Sequence, residues 1–250
     1  MDSSHILFKV FCIIIEIMNA LHLVTGRIVF CIATTFTIFS CLPSYVPNTV
    51  NAPLFSNKGE IQAAIYTGSA GIDPQLSYAI SNHAGLLMNG SFADRTSESS
   101  DNFHKHNFVE IGGGYFSRFG NRGVVEVYGG FGLGNLEGLN ESGFPFDYTK
   151  VNTTRYFIQP TVGFGSDIFD GGFTPRLVLV NLRQGSKSET GVFWEPVFTG
   201  KLGYKFLRFV FQFGLSFPFN GDQITFDYQP FLLSFGIEGI FRRKFESKAD

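Results

Sequence analysis

The chain has 250 residues, 16% of them charged, a formal net charge of −2, and 31 phenylalanines beside 29 glycines. This balance lacks the basic surface that nucleic-acid binding needs, and the length suits a single all-β domain. The three cysteines, Cys12, Cys31 and Cys41, leave nothing after residue 41 to build a disulfide framework or a cysteine metal site.

Residues 1–40 hold two apolar runs, Ile6–Ile17 and Ile28–Phe39. A positive residue, Arg27, then a short apolar run and a small residue form a signal-segment pattern, and the second run falls short of the ~20 apolar residues of a transmembrane helix; a membrane helix near the N-terminus is the competing reading, against which Glu16 and the Thr25-Gly26-Arg27 break stand. The run ends Ile38-Phe39-Ser40-Cys41. An aliphatic residue, a small residue and then Cys resembles the bacterial lipobox, which makes Cys41 the expected lipidated N-terminus after cleavage. A plain secretory signal with a chance cysteine is the alternative. Met18 offers a second start, from which the signal has an ordinary length and residues 1–17 become an over-extended gene start.

Residues 41–58 contain Pro43, Pro47 and Pro53 among several Asn. Proline fixes φ and removes backbone donors, so this stretch reads as an extended tether. From residue 59 to 241 the pattern is period 2, the signature of strands with two different faces. Ten segments show it: 59–68, 73–81, 83–95, 106–119, 123–137, 152–168, 172–183, 191–204, 206–218 and 224–241. Over Leu207–Phe217, Phe209, Phe211, Phe213, Leu215 and Phe217 share one face, against Arg208, Gln212, Gly214 and Ser216. Tyr156, Ile158, Val162 and Phe164 oppose Arg155, Gln159 and Thr161 in the same way.

The expected fold is therefore all-β: a transmembrane, antiparallel up-and-down β-barrel of about ten strands. A cleaved signal segment precedes it and a polar tail, 242–250, follows. An even strand number and segments longer than the ~9–11 residues needed to cross a bilayer fit an outer-membrane barrel. Tight links at 81–83, 119–123, 169–172 and 204–207 are read as alternating with longer ones at 96–105, 138–151, 184–190 and 218–223. Outer-membrane barrels have short periplasmic turns and longer outer loops. That places both termini on the periplasmic side, with outer-membrane lipid and lipopolysaccharide around the wall. The last strand, Ser234–Phe241, partly resembles the signal read by the barrel assembly machinery, an expected partner during biogenesis.

If the Phe face meets lipid, the other face lines the lumen with Glu110, Arg118, Glu126, Arg155, Arg176, Glu195, Lys201, Arg208 and Glu238. Both signs occur, and charges in a narrow bore must pair. Ten strands lie near the size at which side chains fill a barrel, so a plugged barrel is favoured over a porin. The inverse arrangement, with the Phe face inward around a hydrophobic ligand, has the same periodicity and stays open.

No motif implies a cofactor, a bound metal or catalytic residues. Tyr128–Gly134 is glycine-rich, but the strand pattern runs on where a phosphate loop would open a helix. His104 and His106, near Asp94, Glu98 and Asp101, lack evident third and fourth metal ligands. His83 beside Ser81, and His104 and His106 near Ser99 and Ser100, form no specific catalytic constellation. A non-enzymatic barrel with a structural, adhesive or small-solute role is the leading expectation. An enzyme acting on lipid or lipopolysaccharide is its main rival.

The stretches Cys41–Asn48, Asn51-Ala-Pro-Leu-Phe55 and Lys58-Gly-Glu60 resemble the start of outer-membrane β-barrel lipoproteins of Bacteroidetes-type bacteria. Asn82–Gly85, Gly112–Tyr115, Gln159-Pro160 and Gly214–Ser216 extend the resemblance over roughly 41–241. It implies an envelope protein and carries no catalytic residue to transfer. The surface-export signal of such lipoproteins is an acidic cluster after the lipidated Cys. Leu42-Pro43-Ser44 lacks it, so the resemblance implies an anchor in the inner leaflet.

Overall fold

The computed structural model describes residues 43–96, 103–139, 150–204, 206–219, 224 and 226–242. The expected signal segment, Cys41, Glu98, Ser99, Ser100 and Asp101, and most of residues 242–250 lie outside them. The elements are β1 Ile61–Gly68, β2 Gly71–Ala79, β3 Ala84–Thr96, β4 Phe103–Phe119, β5 Gly123–Leu139, β6 Val151–Phe164, β7 Phe169–Gln184, β8 Lys187–Tyr204, β9 Leu207–Leu215, β10 Phe217–Pro218 and β11 Phe231–Phe241. No helix occurs among the described residues.

Each strand pairs antiparallel with the next from β1 to β9. Then β9 pairs with β11, and β11 with β1, which closes a ten-strand barrel. The two-residue β10 prolongs β9, because Phe217 faces Trp194 in the register that sets Gly214 against Val197. Closure removes the free edges that an open sheet would expose. Where inward residues are glycine the strands can hold other groups close: a Cβ at Gly114 would overlap the Val127 carbonyl oxygen.

The period-2 faces separate as their chemistry dictates. The aromatic face points outward: Phe209, Phe211, Phe213, Leu215 and Phe217, like Tyr156, Ile158, Val162 and Phe164, are exposed on the barrel wall. Their alternating neighbours Arg208, Gln212, Arg155, Gln159 and Thr161 are buried inside. An inward Phe face around a hydrophobic ligand is thus not what the chain forms.

Three expectations are corrected. The link expected over 184–190 is a two-residue turn at Gly185 and Ser186, with Gln184 paired to Lys187 and Gly185 at φ 59°. Polar residues on both faces of Arg183–Thr190 hide this hairpin from a periodicity reading, and strict alternation of short and long links fails with it. The strand ends that the longer connections join, those of β3 and β4, of β5 and β6, and of β10 and β11, do share one mouth, here the long-loop end. The turns 80–83, 120–122 and 165–168, and the facing ends of β8 and β9, lie at the other, short-turn end. Second, the last segment starts at Phe231, and the described residues before it turn into the barrel. Phe226 is buried, and Tyr228 pairs in parallel with Tyr45. Third, the two described ends lie at opposite mouths: Pro43 at the long-loop end and Arg242 at the short-turn end. The path of residues 43–58, described next, is the reason.

Candidate functional site

The stretch read as a tether runs through the bore. It is extended, as its prolines require, but from Ser44 to Phe55 it is buried except at Val46, which is half-buried. At the long-loop end Tyr45 donates its N–H to the Asp227 carbonyl (3.0 Å) and its carbonyl accepts the Gln229 N–H (2.8 Å). At the short-turn end Lys58 donates its N–H to Asn82 (3.1 Å), and Asn57 donates to the Arg242 carbonyl (3.0 Å). Gly59, at φ 82°, turns the chain back into β1.

Between these ends the lumen wall supplies a partner at nearly every step. The Gln212 side-chain amide clamps Val50 like a neighbouring strand, accepting its N–H (2.8 Å) and donating to its carbonyl (2.6 Å). Thr49 donates its N–H to Asp73 (2.8 Å) and accepts from Gln75. Asn51 donates to Asn89 (2.8 Å), and its carbonyl accepts from Gln159 (2.8 Å). The Pro53 carbonyl accepts from Gln62 (2.7 Å). Glu126 receives the N–H groups of Leu54 and Phe55, the latter at 3.0 Å. Leu54 reaches the left-handed region (φ 54°) to present them, an uncommon conformation for a branched residue. Buried backbone groups must find partners. Proline, lacking an N–H, lowers that demand along the segment.

Asn48 sits at the centre. Its amide donates to Glu110 (2.8 Å), and its carbonyl oxygen accepts from Arg155 (2.8 Å) and Arg176 (3.1 Å). Glu110 pairs with Arg176 (2.9 Å) and Arg155 (3.7 Å) and also accepts from Asn89 (3.4 Å). The guanidiniums lie over rings, Arg155 over Phe108 (4.7 Å) and Arg176 over Phe157 (4.9 Å). This charged layer lies between two apolar ones. Phe55, Ala79, Leu87, Phe116 and Tyr128 close the short-turn end. Tyr45, Val178, Val180, Leu182, Phe193 and Phe226 close the long-loop end.

Of the sequence-predicted lumen charges, Glu110, Glu126, Arg155, Arg176, Glu195, Lys201, Arg208 and Glu238 are all buried inside. Glu110, Arg155 and Arg176 meet as one cluster, and Lys201 pairs with Glu238 (2.7 Å). Arg208 instead pairs with Asp170 (3.8 Å), which the sequence reading missed. Glu126 and Glu195 bind the threaded segment, Glu195 through the Tyr45 hydroxyl. Arg118 lies at the rim and donates to the Asn121 carbonyl (3.3 Å). Glu60 was also missed. It is fully buried and holds Ser56 N–H (2.9 Å) and Gln62 (2.6 Å).

The histidines part company. His83 caps a turn, its Nδ1 3.2 Å from the Phe116 carbonyl and its ring stacked on Tyr115. His104, expected in the link 96–105, belongs to β4 together with His106, and both face inward. His104 Nε2 lies 2.8 Å from His106 Nδ1, and His106 Nε2 lies 3.0 Å from Ser91 Oγ. A small cleft between this relay and Ser44, Tyr45 and Arg155 adjoins it. Ser91 could not be found without the strand register, which sets it against Phe108. Among the described residues no three His, Cys, Asp or Glu side chains are placed to share a metal ion.

No protein-family model matches the chain, and no curated protein matches it significantly.

Proposed function

We propose that this chain is a non-enzymatic, integral outer-membrane β-barrel, lipid-anchored through Cys41, whose bore is closed by its own N-proximal segment and whose role is structural or adhesive. The carrying observation is the sidedness of the wall. Its outer face presents Phe, Leu, Ile, Tyr and Val along whole strands, while the charged side chains of the wall are buried in a filled interior. Water penalises such a surface, and soluble monomers rarely expose large apolar patches, whereas a lipid-spanning barrel requires one. The filled bore favours a scaffold over a solute channel. The long-loop end faces outward, by the rule that outer loops are the longer ones. Lipid and lipopolysaccharide contact the wall, and the barrel assembly machinery inserts it.

The test uses isolated outer membranes. The protein should resist carbonate extraction and migrate differently boiled and unboiled. Reconstituted into planar bilayers, it should leave the conductance at baseline. Carbonate release would sink the membrane assignment, and steady open channels would sink the closed bore.

One observation favours an enzyme as second reading: in the relay Ser91–His106–His104, a hydroxyl meets a base and a further group orients that base. Against it, the serine is buried inside the barrel, 3% exposed. Covalent labelling by a fluorophosphonate, abolished in Ser91→Ala, would put this reading first.

A further inference from the structure

We infer that the barrel carries the N-terminal end of its mature chain through its own bore to the long-loop mouth, so that a lipid on Cys41 lies in the outer leaflet, at the cell surface. The inference rests on the outer-membrane reading and orientation above, and goes beyond it, because an inner-leaflet anchor is what the residues after Cys41 alone suggest.

The path is fixed at three heights. Phe55 is held at the short-turn end by Glu126, Asn48 at mid-bore by Glu110, Arg155 and Arg176, and Tyr45 at the long-loop end by the strand-like pairing with Asp227–Gln229. The chain therefore enters β1 from the short-turn end after a full crossing, and Pro43 is left at the opposite mouth. Cys41 is two residues away, and two residues span at most roughly 7 Å. A return to the inner leaflet would have to recross the barrel, and the bore is occupied by the segment itself.

Withdrawing the segment is costly in kind. It would take from Gln212, Glu126 and the Asn48-bound guanidiniums, all buried, the hydrogen bonds they now make to it, and buried polar groups left unpaired are strongly destabilising. The ring closes at the β1–β11 seam, the pairing of its first and last strands. The segment can thus be laid in place before the wall shuts, with no need to push a lipid through a finished bore. A surface address of this kind needs no acidic signal after the cysteine, since the barrel itself is the conduit.

The experiment places a short epitope in three full-length chains: within 97–102, between Leu42 and Pro43, and after Arg242. Each is checked for folding by its heat-dependent gel shift, and antibody binding is compared on intact and permeabilised cells. The inference predicts binding on intact cells at the first two sites and a gain only on permeabilisation at the third. Binding at 97–102 on intact cells, with the 42/43 site reached only after permeabilisation, overturns it. No binding at 97–102 on intact cells would instead overturn the membrane orientation on which it rests. Should the 42/43 insertion fail to fold, Pro43→Cys gives the mature chain one free thiol, because the Cys41 sulfur is held in the lipid thioether and Cys12 and Cys31 leave with the signal. Labelling of intact cells by a membrane-impermeant maleimide supports the threading, and labelling only after permeabilisation refutes it.

Discussion

Replacing Glu110 by alanine tests the idea that the bore is held by a buried charge cluster. Glu110 is fully buried. Among the described residues it is the only carboxylate within ion-pair distance of Arg155 and Arg176, which are themselves 3% and 1% exposed. The substitution removes both ion pairs and the acceptor of the Asn48 and Asn89 amides, leaving two guanidiniums bound mainly through Asn48. Breaking a buried pair by deleting one partner costs roughly 3–5 kcal/mol, because the surviving charge stays buried. The upper half of that range is expected here, since two cations lose one anion. Glu110→Gln, which keeps the volume and an acceptor, should cost less. Urea unfolding of the reconstituted barrel, followed through the emission of Trp194, the sole tryptophan, supplies the comparison. Adding Arg176→Met to Glu110→Ala should recover part of the loss, because the two residues touch and their effects are coupled by roughly 0.5–3 kcal/mol. A Glu110→Ala cost within ~0.5 kcal/mol, the scale of a surface change, or full additivity in the double variant, would refute the reasoning.

Three further outcomes follow from the same geometry. Asn48→Ala removes hydrogen bonds to three charged side chains at once and should cost about 1–3 kcal/mol. It should also make the segment more sensitive to protease in the reconstituted barrel, and unchanged cleavage would argue that Asn48 is not its anchor. Exchanging residues 44–53 for a Gly/Ser linker should turn a silent barrel into a conducting one, and a bilayer recording that stays at baseline would count against the segment as the seal. Phe211→Lys puts a charge on the outward face and should cost roughly 2–4 kcal/mol in lipid if that position lies near the bilayer midplane; no measurable loss of stability would speak against lipid at that face.

The wall of the barrel was legible because strand period is a one-dimensional property. Phe209, Phe211 and Phe213 had to share a face whatever they met. Their separation from Arg208 and Gln212 places the lumen charges from the pattern alone. The content of the bore was not legible. Pro43, Pro47 and Pro53 dictate an extended backbone, but an extended backbone looks the same in water and inside a barrel. Asn48, Thr49 and Asn51, which read as solvated linker polarity, are the ligands of the charge cluster and its neighbours. The Ser91–His106–His104 relay and the Arg208–Asp170 pair depend on register and on a turn, which no local pattern encodes. At Arg183–Thr190 and Phe226–Pro230 the wall pattern breaks down for opposite reasons: the hairpin projects polar residues on both faces, and the return to β11 folds its aromatics inward.

On the proposed reading, the aromatic face of a closed barrel meets lipid while its inside is sealed. Trp194 reports on it directly, standing on the outward face of β8 against Phe217, their ring centroids 5.6 Å apart. In vesicles whose acyl chains carry bromine, the account predicts strong quenching of Trp194 emission and little effect of acrylamide added to the water. Efficient quenching by acrylamide, with none from the brominated chains, would mean that the aromatic wall does not face lipid and would contradict the account at its root.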